Sequence, residues 1–344
     1  MDHELIKVDE ISKNEWKGFI ESHRHGNVFQ TRQIFDVYRA TKRVQPFLVV
    51  VKTEDTISGI MVSYIEKEMN GLFGGLTARC ITRGGPLISR GLGPRDKKNV
   101  LDLLLKEQDR VVGKKAIYMQ YRNMWDTDDF RTIFEKRGNE YNEHLNILID
   151  LKKGEDTLWN EMNKKRRNSI RKAEKTGIET KEARSEKDIQ TIYEIYHDVY
   201  KHAKVPISDN SMFVAAHKIL GRKDMVKNLL AFHDGIPIGA ISVLAYKGVL
   251  FDWYAGGLIE HRNKNPNDLL PWVAMKWGIE NGYHTWDFGG AGSPNEEYGV
   301  RDFKLKFGGT LVNYGRYQKI YKKNTMKIAK AGLKLIKGSE KKIN

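Results

Sequence analysis

A glycine-bracketed segment near the C-terminus carries the residues best suited to chemistry. It runs from Trp286 to Gly309 and places Phe303, Lys304 and Phe307 between glycine pairs at 289–290 and 308–309. Glycine lets a backbone approach a ligand closely or adopt a positive φ, and lysine supplies a compact, mobile cation. This combination predicts a site where a polymer passes and where negative charge develops on an oxygen atom.

Two basic clusters lie elsewhere in the chain. Residues 164–175 (KKRRNSIRKAEK) contain seven Lys/Arg and one Glu, and residues 316–344 contain ten Lys/Arg and one Glu. The whole sequence has 59 Lys/Arg against 44 Asp/Glu, a net charge of +15. A clustered surplus of this size favours an anionic partner, such as nucleic acid, an acidic lipid surface or a phosphorylated substrate. The alternative for each cluster is a solvated helix face.

The sequence lacks the common signatures of other catalytic classes. It contains no GxxxxGK[ST] phosphate loop, no HExxH, CxxC or EF-hand spacing, and no GxSxG nucleophile elbow. The single cysteine, Cys80, excludes an intrachain disulfide and fits a reducing compartment. His23 and His25 form a close pair without an obvious further ligand, so no metal site is predicted. Without a visible signal peptide or membrane-length apolar run, we expect a cytoplasmic protein.

The elements that must position these residues follow an α/β pattern. Helices are predicted near 12–22, 30–41, 95–112, 127–138, 155–176, 186–203, 209–220, 266–282 and 296–307. Strands are predicted near 46–52, 57–68, 116–122, 143–151, 227–233, 237–246, 249–255, 284–289 and 310–320. Strands alternating with helices predict a mixed α/β (α+β) sheet in each half of the chain.

The two halves have the pattern of a duplicated unit. Strands 46–52 and 57–68 predict a hairpin, strands 227–233 and 237–246 predict another, and each second strand contains an early glycine. We therefore predict domains at 1–152 and 153–321. A basic helix over 322–344 is expected to pack on the first domain or to lie on an anionic membrane surface.

The order strand, loop, helix, strand around residue 266 is typical of acetyl-CoA-dependent N-acetyltransferases. Those enzymes hold the cofactor diphosphate in a glycine-containing loop at a helix start, where N–H groups and the helix dipole bind the anion. Here residues 261–268 contain no glycine, and Asp268 is expected to repel a diphosphate. The order of elements favours this fold, whereas the loop argues against the cofactor.

Several motifs resemble the Fem family of tRNA-dependent peptidyltransferases, which build peptidoglycan bridges. They are residues 254–256 (YAG), 267–272 (NDLLPW), 286–290 (WDFGG), 299–309 (GVRDFKLKFGG) and 166–175, with weaker similarity at 29–31 and 83–86. The resemblance implies two tandem GNAT-like acyltransferase domains. The long coiled-coil arm of some members is not expected here, because residues 177–225 hold only short predicted elements. The resemblance implies transfer of an amino acid from aminoacyl-tRNA to an amine of a cell-wall peptide precursor, possibly lipid-linked, with no cofactor beyond the aminoacyl-tRNA co-substrate.

The resemblance also implies roles for individual residues. Lys304 would stabilise the reacting carbonyl oxygen, where losing one such donor typically costs roughly 2.7–4 kcal/mol. A buried aspartate would hold or deprotonate the attacking amine, which must be neutral to react. The candidate substrate-binding residues are Phe303, Tyr254, Asp252, Asp287, Tyr298, Arg301 and Asn267. The candidate tRNA- or phosphate-binding residues are Lys164, Lys165, Arg167, Arg171, Lys172, Lys306 and Arg316.

Two other functions remain open from the residues alone. An acyl-CoA-dependent N-acyltransferase acting on an amino sugar or a peptide amine would keep the fold but would need a coenzyme A site. A nucleic-acid-binding module would show salt-sensitive RNA binding that does not need Lys304. Asn168 stands where members of the resembled family often have Tyr, so the exact substrate contacts are expected to differ. Ser89 lies close to where they often have Asp, so the peptide acceptor is also expected to differ from the usual one.

Overall fold

The computed structural model describes residues 4–6, 10–67 and 77–326, and the chain divides into two units. The first unit comprises Met1–Arg39, Arg43–Asn142 and Tyr314–Asn344, and the second comprises Ala40–Lys42 and Glu143–Asn313. Each unit is built on one mixed β-sheet, as the sequence predicts for both halves. Within the described ranges, no helix has the length and apolar character needed to cross a bilayer.

The first unit places its helices around an eight-stranded sheet. The helices are α1 (Lys13–Ser22), α2 (Arg32–Ala40), α3 (Pro94–Val112) and α4 (Arg131–Lys136). The strands are β1 (Glu4–Ile6), β2 (Val44–Thr53), β3 (Thr56–Glu66), β4 (Arg79–Arg83), β5 (Leu87–Ile88), β6 (Tyr118–Arg122), β7 (Glu140–Asn142) and β15 (Arg316–Ile320). Their order is β1-β2-β3-β4-β6-β15-β7, with β5 paired to β3. Strands β4 and β6 are parallel and are connected through α3, as expected of a crossover connection.

The second unit repeats this arrangement around a seven-stranded sheet. The helices are α5 (Glu155–Glu161), α6 (Lys164–Lys175), α7 (Glu186–His202), α8 (Asn210–Leu220), α9 (Pro266–Glu280) and α10 (Gly299–Leu305). The strands are β8 (Leu145–Asp150), β9 (Glu179–Glu182), β10 (Val226–His233), β11 (Ile236–Tyr246), β12 (Val249–Gly257), β13 (Thr285–Gly290) and β14 (Thr310–Asn313). Their order is β14-β8-β13-β12-β11-β10-β9, and the parallel pair β12 and β13 is connected through α9.

The two hairpins share one irregularity, which supports the predicted duplication. In each, the strand register shifts immediately after the position opposite an early glycine, Gly59 in the first unit and Gly239 in the second. A Cβ on Gly59 would lie 2.5 Å from Val100 of α3, and a Cβ on Gly239 would lie 2.9 Å from Pro266 of α9. Both glycines therefore allow the equivalent helix to pack closely against its sheet.

Each sheet contains one strand from the other half of the sequence. Strand β8 follows β7 in the chain but pairs with β13 and β14, and β15 follows β14 but pairs with β6 and β7. The units consequently divide at 142/143 and 313/314 instead of the predicted 152/153 and 321. The predicted strand 310–320 splits in two at Tyr314 and Gly315; Gly315 has φ +65°, and a Cβ on it would lie 2.2 Å from the ring of Tyr141.

Other differences from the predicted elements are local. Strands β1, β4, β5, β7 and β9 were not predicted, and each is only two to five residues long. The predicted helix 155–176 breaks into α5 and α6 at Asn163, whose side chain accepts the Lys165 N–H at 2.9 Å. The backbone N–H of Asn163 donates to the Lys306 carbonyl at 3.0 Å, which ties this break to the segment after α10. The predicted C-terminal helix lies outside the described residues from 327 onward.

Candidate active site

Lys304 lies near the end of α10 and reaches the end of β13. Its Nζ donates to the carbonyl oxygens of Phe288 at 2.6 Å and of Gly290 at 3.0 Å. These carbonyls lie where the pairing of β13 with β8 becomes irregular and Gly289 adopts φ +66°. Because an ammonium group has three donors, the two backbone bonds orient Lys304 and leave one N–H for a ligand.

Asp287 shapes this irregular strand end. Its side chain is only 3% exposed, and Oδ1 accepts the Gly289 N–H at 2.7 Å and the Asn146 amide at 3.4 Å. Asp287 also raises the pKa of Lys304 electrostatically and so favours the ammonium form. Asp287 therefore stabilises the backbone that Lys304 contacts and the charge of Lys304. It is not among the residues that line the adjacent cavity.

A cavity of about 440 Å³, called here the lysine cavity, brings most of the candidate residues together. Six of the eight candidate catalytic and substrate-binding residues line it: Lys304, Asp252, Tyr254, Asn267, Tyr298 and Phe303. Apolar side chains complete the wall, and Tyr298 and Val300 at the cavity are 40% and 43% exposed. The cavity thus joins a cation and a carboxylate with apolar surface that is available to a ligand.

The carboxylate and the ammonium group in this cavity have pKa values shifted toward one another. Burial raises the pKa of Asp252 to about 6, against the opposing effect of the Lys304 cation, and Asp287 raises it further. Burial lowers the pKa of Lys304, while Asp252 and Asp287 oppose that change. A carboxylate with a pKa of about 6 can accept a proton from a substrate near neutral pH, which suits general-base chemistry.

Arg166 fixes the helix that carries Lys304. It is only 4% exposed, forms an ion pair with Asp268 at the start of α9, and donates to the Phe303 carbonyl at 2.9 Å. The Cζ atom of its guanidinium also lies 4.0 Å from the ring centroid of Phe303 and 4.4 Å from that of Phe307. Arg166 therefore links α6, α9 and α10, and the expected repulsion of anions by Asp268 is offset by this pairing.

Sequence reasoning missed Arg166 although a signal was present. Arg166, Ile170 and Ala173 have the i, i+4, i+7 spacing of one helix stripe, and all three are buried in α6. Arg166 thus belongs to the apolar face of α6, whereas the other cations of the cluster occupy its remaining surface. A charge on the buried stripe of an amphipathic helix requires a partner, which is how it could have been recognised.

A second cavity, of about 510 Å³, adjoins the first. This arginine cavity is lined by Lys165, Arg166, Arg262 and Lys306, with Asp268 as its acidic residue. It shares the lining residues Val199, Asn267 and Phe303 with the lysine cavity. Lys165 and Lys306 were predicted to bind phosphate, whereas Arg262, which lies in the short 3-10 helix Ile259–Lys264, was not predicted. The cationic arginine cavity thus adjoins the lysine cavity.

The remaining predicted phosphate-binding residues are more dispersed. Lys164, Arg171 and Lys172 are exposed on α6. Arg167 is half-buried and donates to the carbonyls of Trp159 and Asn160 at 3.4 and 3.3 Å. Arg316 belongs to β15 in the first unit, so it is not part of the α6 cluster.

Arg301 and the second glycine pair have structural partners. Arg301 donates to the Ser293 carbonyl at 2.6 Å and to the Glu296 carbonyl, so it holds the loop before α10 and does not line either cavity. Gly308 and Gly309 have φ +91° and +94° and turn the chain from α10 into β14. A Cβ on Gly309 would lie 2.5 Å from the carbonyl oxygen of Leu148, so the glycine pair serves the turn.

The start of α9 does not fit the diphosphate of coenzyme A. Pro266 has no N–H, and the N–H groups of Asp268 and Leu269 already donate to the Asn265 carbonyl at 3.1 and 3.3 Å. A diphosphate needs several free N–H groups at a helix start, and only that of Asn267 remains in this first turn. The residues therefore do not form a coenzyme A loop, in agreement with its lack of glycine.

Comparison with known proteins shows which proteins the chain is similar to. Residues 161–304 match the family model described as acetyltransferase (GNAT) domain. A lipid II:glycine glycyltransferase of Staphylococcus haemolyticus is 30% identical over 136 residues, which are 38% of this chain and 32% of that protein. The match therefore spans about a third of the length of that curated relative.

Solved structures extend the likeness over the chain. The crystal structure of FemX superposes with a TM-score of 0.70 at 16% identity, covering 95% of this chain and 99% of that one. A tandem GNAT protein from the clavulanic acid biosynthesis pathway gives a TM-score of 0.60 at 10% identity, covering 93% and 99%. The chain has the fold of two GNAT-like domains in tandem, and its predicted resemblance to the Fem family is confirmed.

Proposed function

We propose that this protein is an aminoacyltransferase that moves an amino acid from aminoacyl-tRNA to an amine of a cell-wall peptide precursor. The observation that carries the proposal is the placement of Lys304 beside Asp252, with two ammonium N–H groups bound to backbone and one left for a ligand. The glycyltransferase relative, which acts on lipid II according to its name, supports a lipid-linked acceptor. We place this activity in the cytoplasm.

The chemistry follows from the two side chains. The neutral acceptor amine attacks the ester carbonyl of the aminoacyl donor, and the Asp252 carboxylate accepts one proton from the amine nitrogen as the N–C bond forms. The resulting tetrahedral oxyanion accepts the remaining N–H of Lys304. Collapse breaks the ester C–O bond, an amide forms, and the ribose oxygen leaves with the proton returned by Asp252. No cofactor takes part in this sequence of steps.

The two adjoining cavities suggest how donor and acceptor share the unit. The lysine cavity has the aromatic and apolar lining suited to the aminoacyl end and to a peptide amine. The arginine cavity, with Lys165, Arg262 and Lys306, suits a phosphate group of the tRNA or of the precursor. The exposed cations Lys164, Arg171 and Lys172 on α6 extend this positive surface. We assign the basic segment from 322 onward to peripheral contact with an anionic membrane.

A reconstituted transfer assay tests this function. The full chain would be incubated with tRNA charged with radiolabelled amino acid and with either a soluble or a lipid-linked peptide precursor. Label should move into the precursor without added acyl-CoA. Transfer from acyl-CoA in the absence of tRNA, or RNA binding without transfer to either precursor, would contradict the proposal.

A further inference from the structure

Strand β12 is irregular where it borders the lysine cavity. Ser242 of β11 pairs with Tyr254, and the next residue, Val243, pairs with Asp252. Trp253 is thus the extra residue of a β-bulge. In a regular strand successive side chains point to opposite faces of the sheet, whereas Asp252, Trp253 and Tyr254 all line the lysine cavity. The bulge therefore decides how Asp252 is presented to this cavity.

Tyr196 of α7 binds the residue pair that borders the bulge. Its side chain is completely buried, and its hydroxyl group donates to Ser242 Oγ at 3.1 Å and to the Tyr254 carbonyl oxygen at 3.0 Å. Because a phenol carries one hydroxyl proton, the two acceptors share it. This one proton ties both strands at the bulge to α7.

The hydrogen bonds continue into the next strand of the sheet. Ser242 Oγ donates to Asn228 Oδ1 of β10 at 2.7 Å, and the side chains of Tyr196, Ser242 and Asn228 are all buried. Burial raises the pKa of Tyr196 well above its ordinary value, so its hydroxyl group keeps the proton that it donates. A buried network of satisfied hydrogen bonds favours one rigid arrangement of the groups that it joins.

The ring of Tyr196 packs separately from its hydroxyl group. It stacks with the ring of Tyr254, with centroids 5.7 Å apart and planes at 30°. Both rings also contact Phe213 of α8, at centroid distances of 5.6 and 4.9 Å. A phenylalanine at position 196 would keep these ring contacts and would lose only the hydrogen bonds.

The ionisation of Asp252 depends on its position relative to charged neighbours. Burial is the largest cause of its raised pKa, Lys304 of α10 opposes that rise, and Asp287 of β13 adds to it. The charge of Asp252 in turn raises the pKa of Tyr196. The other titratable side chains that line the cavity are Tyr200, Tyr254 and Tyr298. A change in the bulge should therefore alter how strongly Lys304 acts on Asp252.

We propose that Tyr196 is a positioning residue for the transfer reaction. Its hydroxyl group holds the bulge of β12, and the bulge directs Asp252 toward the acceptor amine. Tyr196 is not among the residues that line the lysine cavity, so its effect passes through Asp252. This role rests on the proposed function for the use of Asp252 as a base, whereas the control of Asp252 by Tyr196 does not require any particular substrate.

Steady-state kinetics of the full chain test the role in transfer. Tyr196→Phe should lower kcat about tenfold, since a misplacement of about 1 Å can cost about 100-fold, and should leave the KM for aminoacyl-tRNA near that of the parent. In an Asp252→Asn background the same change should lower kcat less than about twofold, because both residues act through one carboxylate.

The matched control is Tyr193→Phe. Tyr193 lies on the same helix, its ring contacts Phe213 at 5.7 Å, and it is not among the residues that line the cavity. This variant should transfer like the parent. Ser242→Ala removes the other side of the hydrogen bond and should lower kcat in the same direction as Tyr196→Phe, which keeps the test available if one variant does not fold.

Carbon-13 NMR of the chain with labelled aspartate carboxyl groups tests the control of Asp252 without any transfer. Asp252→Asn assigns the signal, which should titrate at about pH 6 in the parent. In Tyr196→Phe the midpoint should move to higher pH, because Lys304, which lowers this pKa, acts on a carboxyl group that is held less firmly beside it. Tyr193→Phe should titrate like the parent.

Two results would overturn the proposal. One is a full tenfold loss of kcat on adding Tyr196→Phe to Asp252→Asn, or an equal loss in Tyr193→Phe. The other is a midpoint of Asp252 that does not rise in Tyr196→Phe or in Ser242→Ala. If the parent moves no amino acid from charged tRNA but the midpoint does rise, the proposed function fails while the control of Asp252 by Tyr196 is supported.

Discussion

Asp252 on β12 and Lys304 on α10 line the same cavity, and each favours the charged form of the other. Lys304 acts to lower the pKa of Asp252, and Asp252 acts to raise the pKa of Lys304. Burial acts in the opposite direction on both groups and is the largest cause for each. The result is a carboxylate with a raised pKa beside an ammonium group with a lowered pKa. This pair is the centre of the proposed chemistry.

The pH dependence of transfer should reveal Asp252. Because the proposed base must be ionised, the rate should fall as pH decreases through about 6, the raised pKa of this carboxyl. Asp252→Asn should lower the rate and remove this limb of the pH profile. Steady-state rates over a pH series, with Asp302→Asn as an exposed control on α10, provide the measurement. An unchanged limb in Asp252→Asn would assign the titration to another group.

The pairing of Arg166 with Asp268 should be essential for a well-ordered α10. Arg166→Ala leaves the partly buried carboxylate of Asp268 without its cationic partner and should cost about 3 kcal/mol of unfolding free energy, the lower end of the range for a buried pair. The double variant Arg166→Ala/Asp268→Ala should lose less than the sum of the two single variants, by about 1–3 kcal/mol. Denaturant unfolding measures all three, and strictly additive losses would show that the two side chains do not interact.

Arg166→Lys separates positioning from charge. Lysine keeps the cation but cannot stack its head group on Phe303 and Phe307 or bind Asp268 with a planar fork. The variant should lower kcat and leave the KM for aminoacyl-tRNA nearly unchanged, because α10 holds Lys304 less firmly. An increase in KM alone would instead assign Arg166 to tRNA binding through the arginine cavity.

The basic surface of the second unit should contribute to the salt dependence of tRNA binding. Lys165→Ala/Lys172→Ala removes two cations, and the slope of log affinity against log salt should become shallower by about 1.5 if both contact phosphates. The transfer rate at saturating tRNA should remain near that of the parent. Lys187→Ala, an exposed lysine on α7, is the matched control. An unchanged slope in the double variant would exclude these two residues from the tRNA contact.

The turn after α10 should tolerate only glycine. Gly309→Ala would place a Cβ 2.5 Å from the Leu148 carbonyl at a backbone with φ +94°, and should lower unfolding free energy by about 1–3 kcal/mol. Gly299→Ala, at the start of α10, has no atom within 4 Å of its Cβ and should change stability by less than about 0.5 kcal/mol. Equal stability of the two variants in thermal unfolding would refute this role.

The sequence predicted the long elements and the duplication because their signals are local. Hairpins, amphipathic helices and the glycines at 59 and 239 all follow from residues close together in the chain. The exchange of β8 and β15 between the two sheets could not be predicted, because strand pairing depends on contacts distant in sequence. The short strand β4 was not predicted for a similar reason, because its five residues form a strand by pairing with β6, which is distant in sequence.

How much of each candidate residue's position could be predicted from the sequence differs from residue to residue. The motif around Lys304 predicted the segment, and the structure brings five further candidate residues to the cavity that Lys304 lines. Sequence could not separate Asp287 and Arg301, which support the backbone, from residues that line the cavity. That distinction depends on which carbonyl and N–H groups a fold leaves near each side chain.

The role of Lys304 is tested most directly by single-turnover transfer from charged tRNA at saturating precursor. Lys304→Ala should reduce the rate about 100- to 1,000-fold, the usual effect of removing an oxyanion donor. Lys187→Ala should transfer as fast as the parent, and all three proteins should bind charged tRNA with similar affinity. A rate for Lys304→Ala equal to that of the parent would contradict the account.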